Sequence, residues 1–181
     1  MPVKSAMARG LSSGLEPGLV LLNTTSFSAV SSQAVNPFSA TYDAYKIILT
    51  FTASSGAPAI TFRARSGASD DAGGNYFYGG FRSDVNPAAL VQFQGSSATS
   101  FGLGDISSAQ ALRYFMIMDI ANPFATTATK VSYQIHYVNA TSFFAVGAAG
   151  AVATTTSYDG YNIISSTGTI TGKVVTYGYN L

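Results

Sequence analysis

Few groups in this chain can titrate or attack near neutral pH. There is one histidine (His136), one glutamate (Glu16), seven aspartates (Asp43, Asp70, Asp71, Asp84, Asp105, Asp119 and Asp159) and no cysteine. A serine nucleophile needs a general base, a carboxylate to orient that base and a strained turn. His136 instead shares the polar side of an alternating run with Ser132 and Gln134, the setting of a half-exposed strand histidine. Glycoside hydrolysis needs two carboxylates flanking a cleft, yet the aspartates are scattered through turns and strand edges. Asp70-Asp71 is the one adjacent pair. It lacks calcium-loop spacing and reads as a solvated loop. A single histidine without cysteine makes a poor zinc site. Gly73-Gly74 and Gly79-Gly80 lack the Lys-Ser/Thr that follows in a phosphate loop. No catalytic residue, cofactor-binding residue or metal ligand is expected, and the chain reads as a non-enzyme.

The remaining candidate chemistry is aromatic. The stretch Asn75–Phe81, NYFYGGF, could stack tyrosines on sugar rings, although tyrosine-rich β surfaces more often serve strand packing or subunit contacts. Tyr42, Asp43 and Tyr45 place a carboxylate between two phenols. With no acid–base partner elsewhere, the cluster reads as architecture: Asp43 caps turn amides while the tyrosines pack on neighbouring strands.

The segments that must position these residues are short alternating runs. Tyr45–Phe51 sets Tyr45, Ile47, Leu49 and Phe51 on one face, and Lys130–Val138 does the same with Val131, Tyr133, Ile135 and Tyr137. Such period-2 runs predict β-strands. Further strands are expected at Leu19–Leu22, Thr25–Val35, Ala59–Ser66, Asn75–Phe81, Ala88–Gln94, Thr99–Leu103, Leu112–Ile120, Phe143–Thr155, Tyr161–Ile164 and Thr169–Tyr179. Tyr45–Phe51 and Ala59–Arg65 suit a hairpin, and Ser107–Met116 carries a competing helical pattern. Turn signals fall at Asn36-Pro37, Ser54–Pro58, Gly67–Gly74, Ser83–Pro87 and Ala121–Thr129. Gly172 and Gly178 share a face with Ile170 and Val174, where they would admit close packing. Many short strands with regular turns predict an all-β antiparallel sandwich, a jelly roll by length and strand count. Residues 1–18 have no periodicity and read as an extended N-terminal arm, held by its own domain or by a neighbouring subunit. Residues 19–181 form the sandwich domain.

Charged residues make up 9% of the 181, with a net charge of +1, against about 25% charged in an ordinary soluble protein. A nucleic-acid surface needs clustered Lys and Arg, so none is expected. Low charge with 47% hydrophobic residues suits a subunit that lives against neighbours. Phe143–Ala153 is too short to span a bilayer, and no apolar segment near residue 1 suggests a secretory signal. The sequons at Asn23-Thr24-Thr25 and Asn139-Ala140-Thr141 then read as chance matches.

Two stretches together resemble a known family. PFSATYDAYKIILTF (Pro37–Phe51), with ITFRAR (Ile60–Arg65) and a Gly/Asp loop before Asn75-Tyr76, is one. TGTITGKVVTYGY (Thr167–Tyr179) is the other. They are similar to a β-sandwich family of tailed-bacteriophage structural proteins, which pairs an F-S-x-x-Y-D-x-Y-x-I strand with a terminal G-x-I-x-x-Y-G strand. The resemblance runs from about Val35 to the C-terminus. It implies a head decoration (cement) protein on the outer surface of the virion, homotrimeric and bound to the major capsid protein. A receptor- or glycan-binding module of a fibre is the alternative. The chain lacks a coiled-coil or repetitive shaft, which favours the decoration subunit.

Overall fold

A computed structural model describes residues 18–53, 58–86, 88–105, 114–138 and 142–180. Among these the chain is all-β, with thirteen strands. They are β1 (Gly18–Val30), β2 (Ser32–Val35), β3 (Ala44–Ala53), β4 (Ala59–Ser66), β5 (Ser69–Asp70), β6 (Tyr76–Val85) and β7 (Ala88–Ala98). The rest are β8 (Phe101–Asp105), β9 (Tyr114–Ala121), β10 (Thr129–Val138), β11 (Phe143–Val152), β12 (Gly160–Ser165) and β13 (Ile170–Asn180).

Alternating apolar residues fold as strict alternation of burial. In β3, Tyr45, Ile47, Leu49 and Phe51 are buried while the residues between them are half-buried. β9 and β10 repeat the pattern. All strand pairs are antiparallel. The larger sheet has the order β1-β13-β3-β9-β10-β11-β6-β7, and the smaller runs β2-β12-β4 with β8 and β5 on different parts of the far side of β4. Four of the pairs are nested: β1 with β13, β2 with β12, β3 with β9, and β4 with β8. This is the pairing of one long antiparallel ribbon whose successive arms alternate between the sheets. The hairpins β6–β7 and β10–β11 are insertions in that ribbon. Both extend the larger sheet past β9, so it overhangs the smaller one.

The sheets are clasped by tyrosine hydroxyls. Tyr114 on β9 donates to the Leu103 carbonyl on β8 at 2.8 Å, and Tyr133 on β10 donates to Gly102 at 3.1 Å. Tyr76 on β6 accepts from the Ala64 amide at 3.0 Å and donates to the Asp71 carbonyl at 2.8 Å. Tyr161 on β12 shares a 2.7 Å hydrogen bond with Thr176 on β13. Each ring fills core volume while its tip satisfies a polar group that burial would otherwise strand.

Several expectations change. Tyr45–Phe51 and Ala59–Arg65 are not a hairpin: β3 has both edges occupied by β13 and β9, and β4 lies in the other sheet. The strand expected at Thr25–Val35 is split: its first part joins Leu19–Leu22 in one bulged strand, β1, which already includes Gly18, and Ser32–Val35 is β2 of the smaller sheet. The rest of the expected arm, residues 1–17, lies outside the described residues. Of the competing helix, Tyr114–Met116 lies in β9, and residues 107–113 lie outside the described residues. β6 continues to Val85, into the segment expected to turn. Gly178 does admit close packing: a Cβ there would meet the Tyr42 ring at 2.6 Å.

The turn before β3 is held differently than expected. Asp43 is exposed and contributes its carbonyl, which accepts from the Asn122 amide at 2.7 Å. The turn itself is closed by Tyr45, whose hydroxyl accepts from the Ser39 amide at 2.8 Å and donates to the Ser39 carbonyl at 2.7 Å. Tyr45→Phe removes both bonds and is expected to cost about 1–3 kcal/mol. Asp43→Ala is expected to stay within about 0.5 kcal/mol of wild type. Urea unfolding of the two variants measures the order, and equal losses would return the capping role to Asp43.

Candidate functional site

The acidic residues considered for chemistry sit apart, and five have structural partners. Asp70 is ion-paired with Arg65 and accepts from the Asn162 amide side chain at 2.8 Å. Asp71 accepts from the Tyr158 hydroxyl and from the Gly73 amide at 2.9 Å. The pair expected to be a solvated loop is thus tied to β4, β12 and Tyr158. Asp84 holds Arg82 through two contacts of 2.8 and 3.2 Å. Asp119 pairs with Lys46 at 2.7 Å and accepts from the Tyr179 hydroxyl at 2.6 Å. Asp159 accepts from the Gly67 amide at 3.0 Å. Among the described residues no three His, Cys, Asp or Glu gather as metal ligands do. Glu16 lies outside the described residues, as does Gly10-Leu11-Ser12-Ser13-Gly14, a G-x-S-x-G string without the strand pattern that precedes a nucleophile elbow.

His136 is exposed on the outer face of the larger sheet, between the rings of Phe115 and Phe143 at 6.2 and 6.1 Å. Its neighbours follow from register, because directly opposed residues share a face. One row across the sheet reads Thr50, Phe115, His136, Ala145, Ser83 and Leu90. The next reads Ile48, Ile117, Gln134, Gly147, Phe81 and Gln92. Towards β7 this face carries exposed Phe81, Val85, Leu90 and Phe143. Its ionic cluster is Lys46 with Asp119 and Tyr179. Burial works to lower the lysine's pKa, but the bonds to Asp119 and Tyr179 outweigh it and hold the pKa above the ordinary value.

The aromatic stretch considered for sugar stacking is split between faces. Tyr76 and Tyr78 point inward and Phe77 and Phe81 outward, so they form no single platform. Tyr76 is fully buried as a clasp. Tyr78 lines a cleft of about 210 Å³ where the overhang meets β8, together with Arg82, Val91, Phe93, Gly104 and Tyr137. Its ring lies over Gly95, where a Cβ would meet it at 2.2 Å. The hydrogen bonds that Arg82 donates to the Asp84 carboxylate hold its guanidinium above the usual pKa, and the guanidinium sits 5.2 Å over the Phe144 ring. A cleft with apolar walls and one neutralised cation can take a neutral, ring-bearing group. The composition of β6 and β7 carries no signal for it, since it depends on where β8 lies.

No protein-family model matches this chain, and no curated protein does.

Burial raises the hydroxyl pKa of Tyr76, Tyr114, Tyr133 and Tyr161 above the usual 10.0 and pushes Tyr158 up to about 12. Above pH 10 the unfolded chain releases these protons and the folded chain keeps them. The unfolded state then binds fewer protons, so stability falls with rising pH. The contribution is fully present below the unfolded value and is lost as pH rises towards the folded ones. Tyr114 and Tyr161 are each expected to remove up to about 1.4 kcal/mol per pH unit. Urea midpoints should therefore drop steeply above pH 10, with tyrosinate absorbance appearing together with unfolding. Tyrosinate from these residues at pH 10 with the fold intact would contradict the clasps.

Proposed function

We propose that this chain is a non-enzymatic structural protein of a tailed-bacteriophage virion, a capsid decoration (cement) protein that binds and stabilises the head lattice. The observation that carries this reading is the outer face of the larger sheet. Towards β7 it exposes Phe81, Val85, Leu90 and Phe143, in a chain with few charges. Exposed apolar surface of this kind marks protein contacts. The family resemblance supplies the identity of the partners, the major capsid protein and further copies in a homotrimer. The nested pairing supports the jelly roll that the resemblance implies: β1 to β4 with β13, β12, β9 and β8 as its eight strands, carrying two inserted hairpins.

The test is occupancy on heads assembled from the accompanying major capsid protein, imaged by electron cryo-microscopy. Wild-type density is expected over capsomer junctions. Phe81→Lys with Val85→Lys, both exposed positions, should lower occupancy at least about tenfold with the melting profile kept. Unchanged occupancy, or density confined to the tail, would overturn the reading.

A second reading, a glycan-binding module, is favoured by the Tyr78 cleft alone. It predicts glycan-array binding that Tyr78→Ala abolishes. Tyr76→Ala cannot serve as the test, because Tyr76 is a buried clasp.

A further inference from the structure

We infer that β7 is an assembly edge, on which a second copy of this chain adds its own β7 antiparallel about a two-fold axis at Gln92. Among the described residues β7 pairs with β6 alone and ends the eight-stranded sheet. Its other side therefore presents the alternating N–H and C=O groups that only an extended strand can match in number and spacing. Proteins usually blunt such an edge with Lys, Pro, a bulge or a short strand. β7 has eleven residues, AALVQFQGSSA, with neither charge nor proline. From Ala88 to Gly95 its register with β6 is unbroken as far as Gly95↔Tyr78, and the irregularity falls beyond that, towards Tyr76.

The opposite edge is built otherwise. β1 breaks register with β13 twice, between Leu21 and Asn23 and between Phe27 and Val30. Ala29 in the second break sits at φ 51°; Ser97 in the β7 irregularity sits at φ 52°, but that lies at one end of β7, outside Ala88–Gly95. Such bulges turn an edge away from further pairing. A ring joining β1 of one copy to β7 of the next would have to match a bulged strand to a regular one. Pairing β7 with β7 matches two strands that are both regular from Ala88 to Gly95.

Sequence symmetry selects the register. Side chains keep their faces only if opposed residue numbers have an even sum. An axis at Gln92 keeps this rule and uses the regular stretch almost completely. It sets Val91 opposite Phe93 on the inner side, a favourable pairing of β-branched and aromatic residues, twice over. On the outer side Leu90 meets Gln94 and Gln92 meets itself, amide to amide. No like charges oppose each other anywhere along the strand. Leu90, 72% exposed, and Val91, 38% exposed, gain cross-strand neighbours. Val91 and Phe93 also line the cleft beside Tyr78, so the partner's strand would border that cleft.

This contact does not rest on the virion reading, and it occupies only the β7 edge, so a threefold association would use other surfaces. Sedimentation velocity at low salt over a concentration series tests it with the full chain. Wild type is expected to form even-numbered species, either dimers or pairs of trimers. Gln92 is exposed, so Gln92→Lys and Gln92→Glu should each keep the wild-type melting profile. Each alone sets like charges opposite and should weaken the even-numbered association about fivefold. An equimolar mixture of the two variants sets Lys opposite Glu and should recover wild-type association or better. A wild type found only as monomers or lone trimers overturns the inference. So do single variants that associate as wild type does, or a mixture no tighter than either variant alone. Failure of capsid occupancy with this result intact would sink the virion reading and leave the edge contact standing.

Discussion

The structure depends on tyrosine hydroxyls buried between two sheets. A tyrosine offers a large apolar ring for the core and a polar tip that must find a partner there. Here the tips of Tyr76, Tyr114 and Tyr133 reach across to backbone groups of β4, β8 and the segment after β5, and Tyr161 reaches Thr176. Hydrophobic contact alone would hold the sheets together while tolerating small slides. A buried hydrogen bond does not tolerate them, because a shift strands both partners. The clasps therefore convert a generic sandwich into one fixed alignment. β8 relies on them most: it pairs with β4 over few residues, and two tyrosines cap its carbonyls.

That alignment explains the molecule's asymmetry. The nested ribbon fills both sheets, but the two inserted hairpins both join the larger one. The inward positions of β10 are still buried, but towards β7 the larger sheet outruns its cover, and the strands there must manage both faces. On the inner face the result is the cleft bounded by β8, with Arg82 neutralised by Asp84. On the outer face it is a field of alanine and glycine flanked by Phe81, Val85, Leu90 and Phe143. The sheet then ends on a strand with neither charge nor proline, regular from Ala88 to Gly95 and bulged only beyond it.

Charge is used sparingly and locally. Lys46 with Asp119 and Arg65 with Asp70 are short-range pairs between neighbouring strands, and Arg82 with Asp84 is one within β6. They leave little long-range field to steer a polyanion or repel another copy.

Much of the fold was legible in the chain itself. The alternation at Tyr45–Phe51 and Lys130–Val138 marked strands because burial on one face leaves a period of two, a local property. The scarcity of His, Glu and Cys was likewise readable, since composition needs no coordinates. Strand partners were not readable. Tyr45–Phe51 and Ala59–Arg65 look like a hairpin by spacing, and only the competition for β3 by β13 and β9 sends β4 to the other sheet. Nor could local chemistry assign the turn before β3. Asp43 has the right residue type for a cap, but Tyr45 reaches Ser39 because the strand aims its ring back over the turn. The aromatic run at Tyr76–Phe81 divides between cleft, core and outer face because pleating sends neighbours to opposite sides. Which side met the facing sheet, and which was left bare, depended on where that sheet ended.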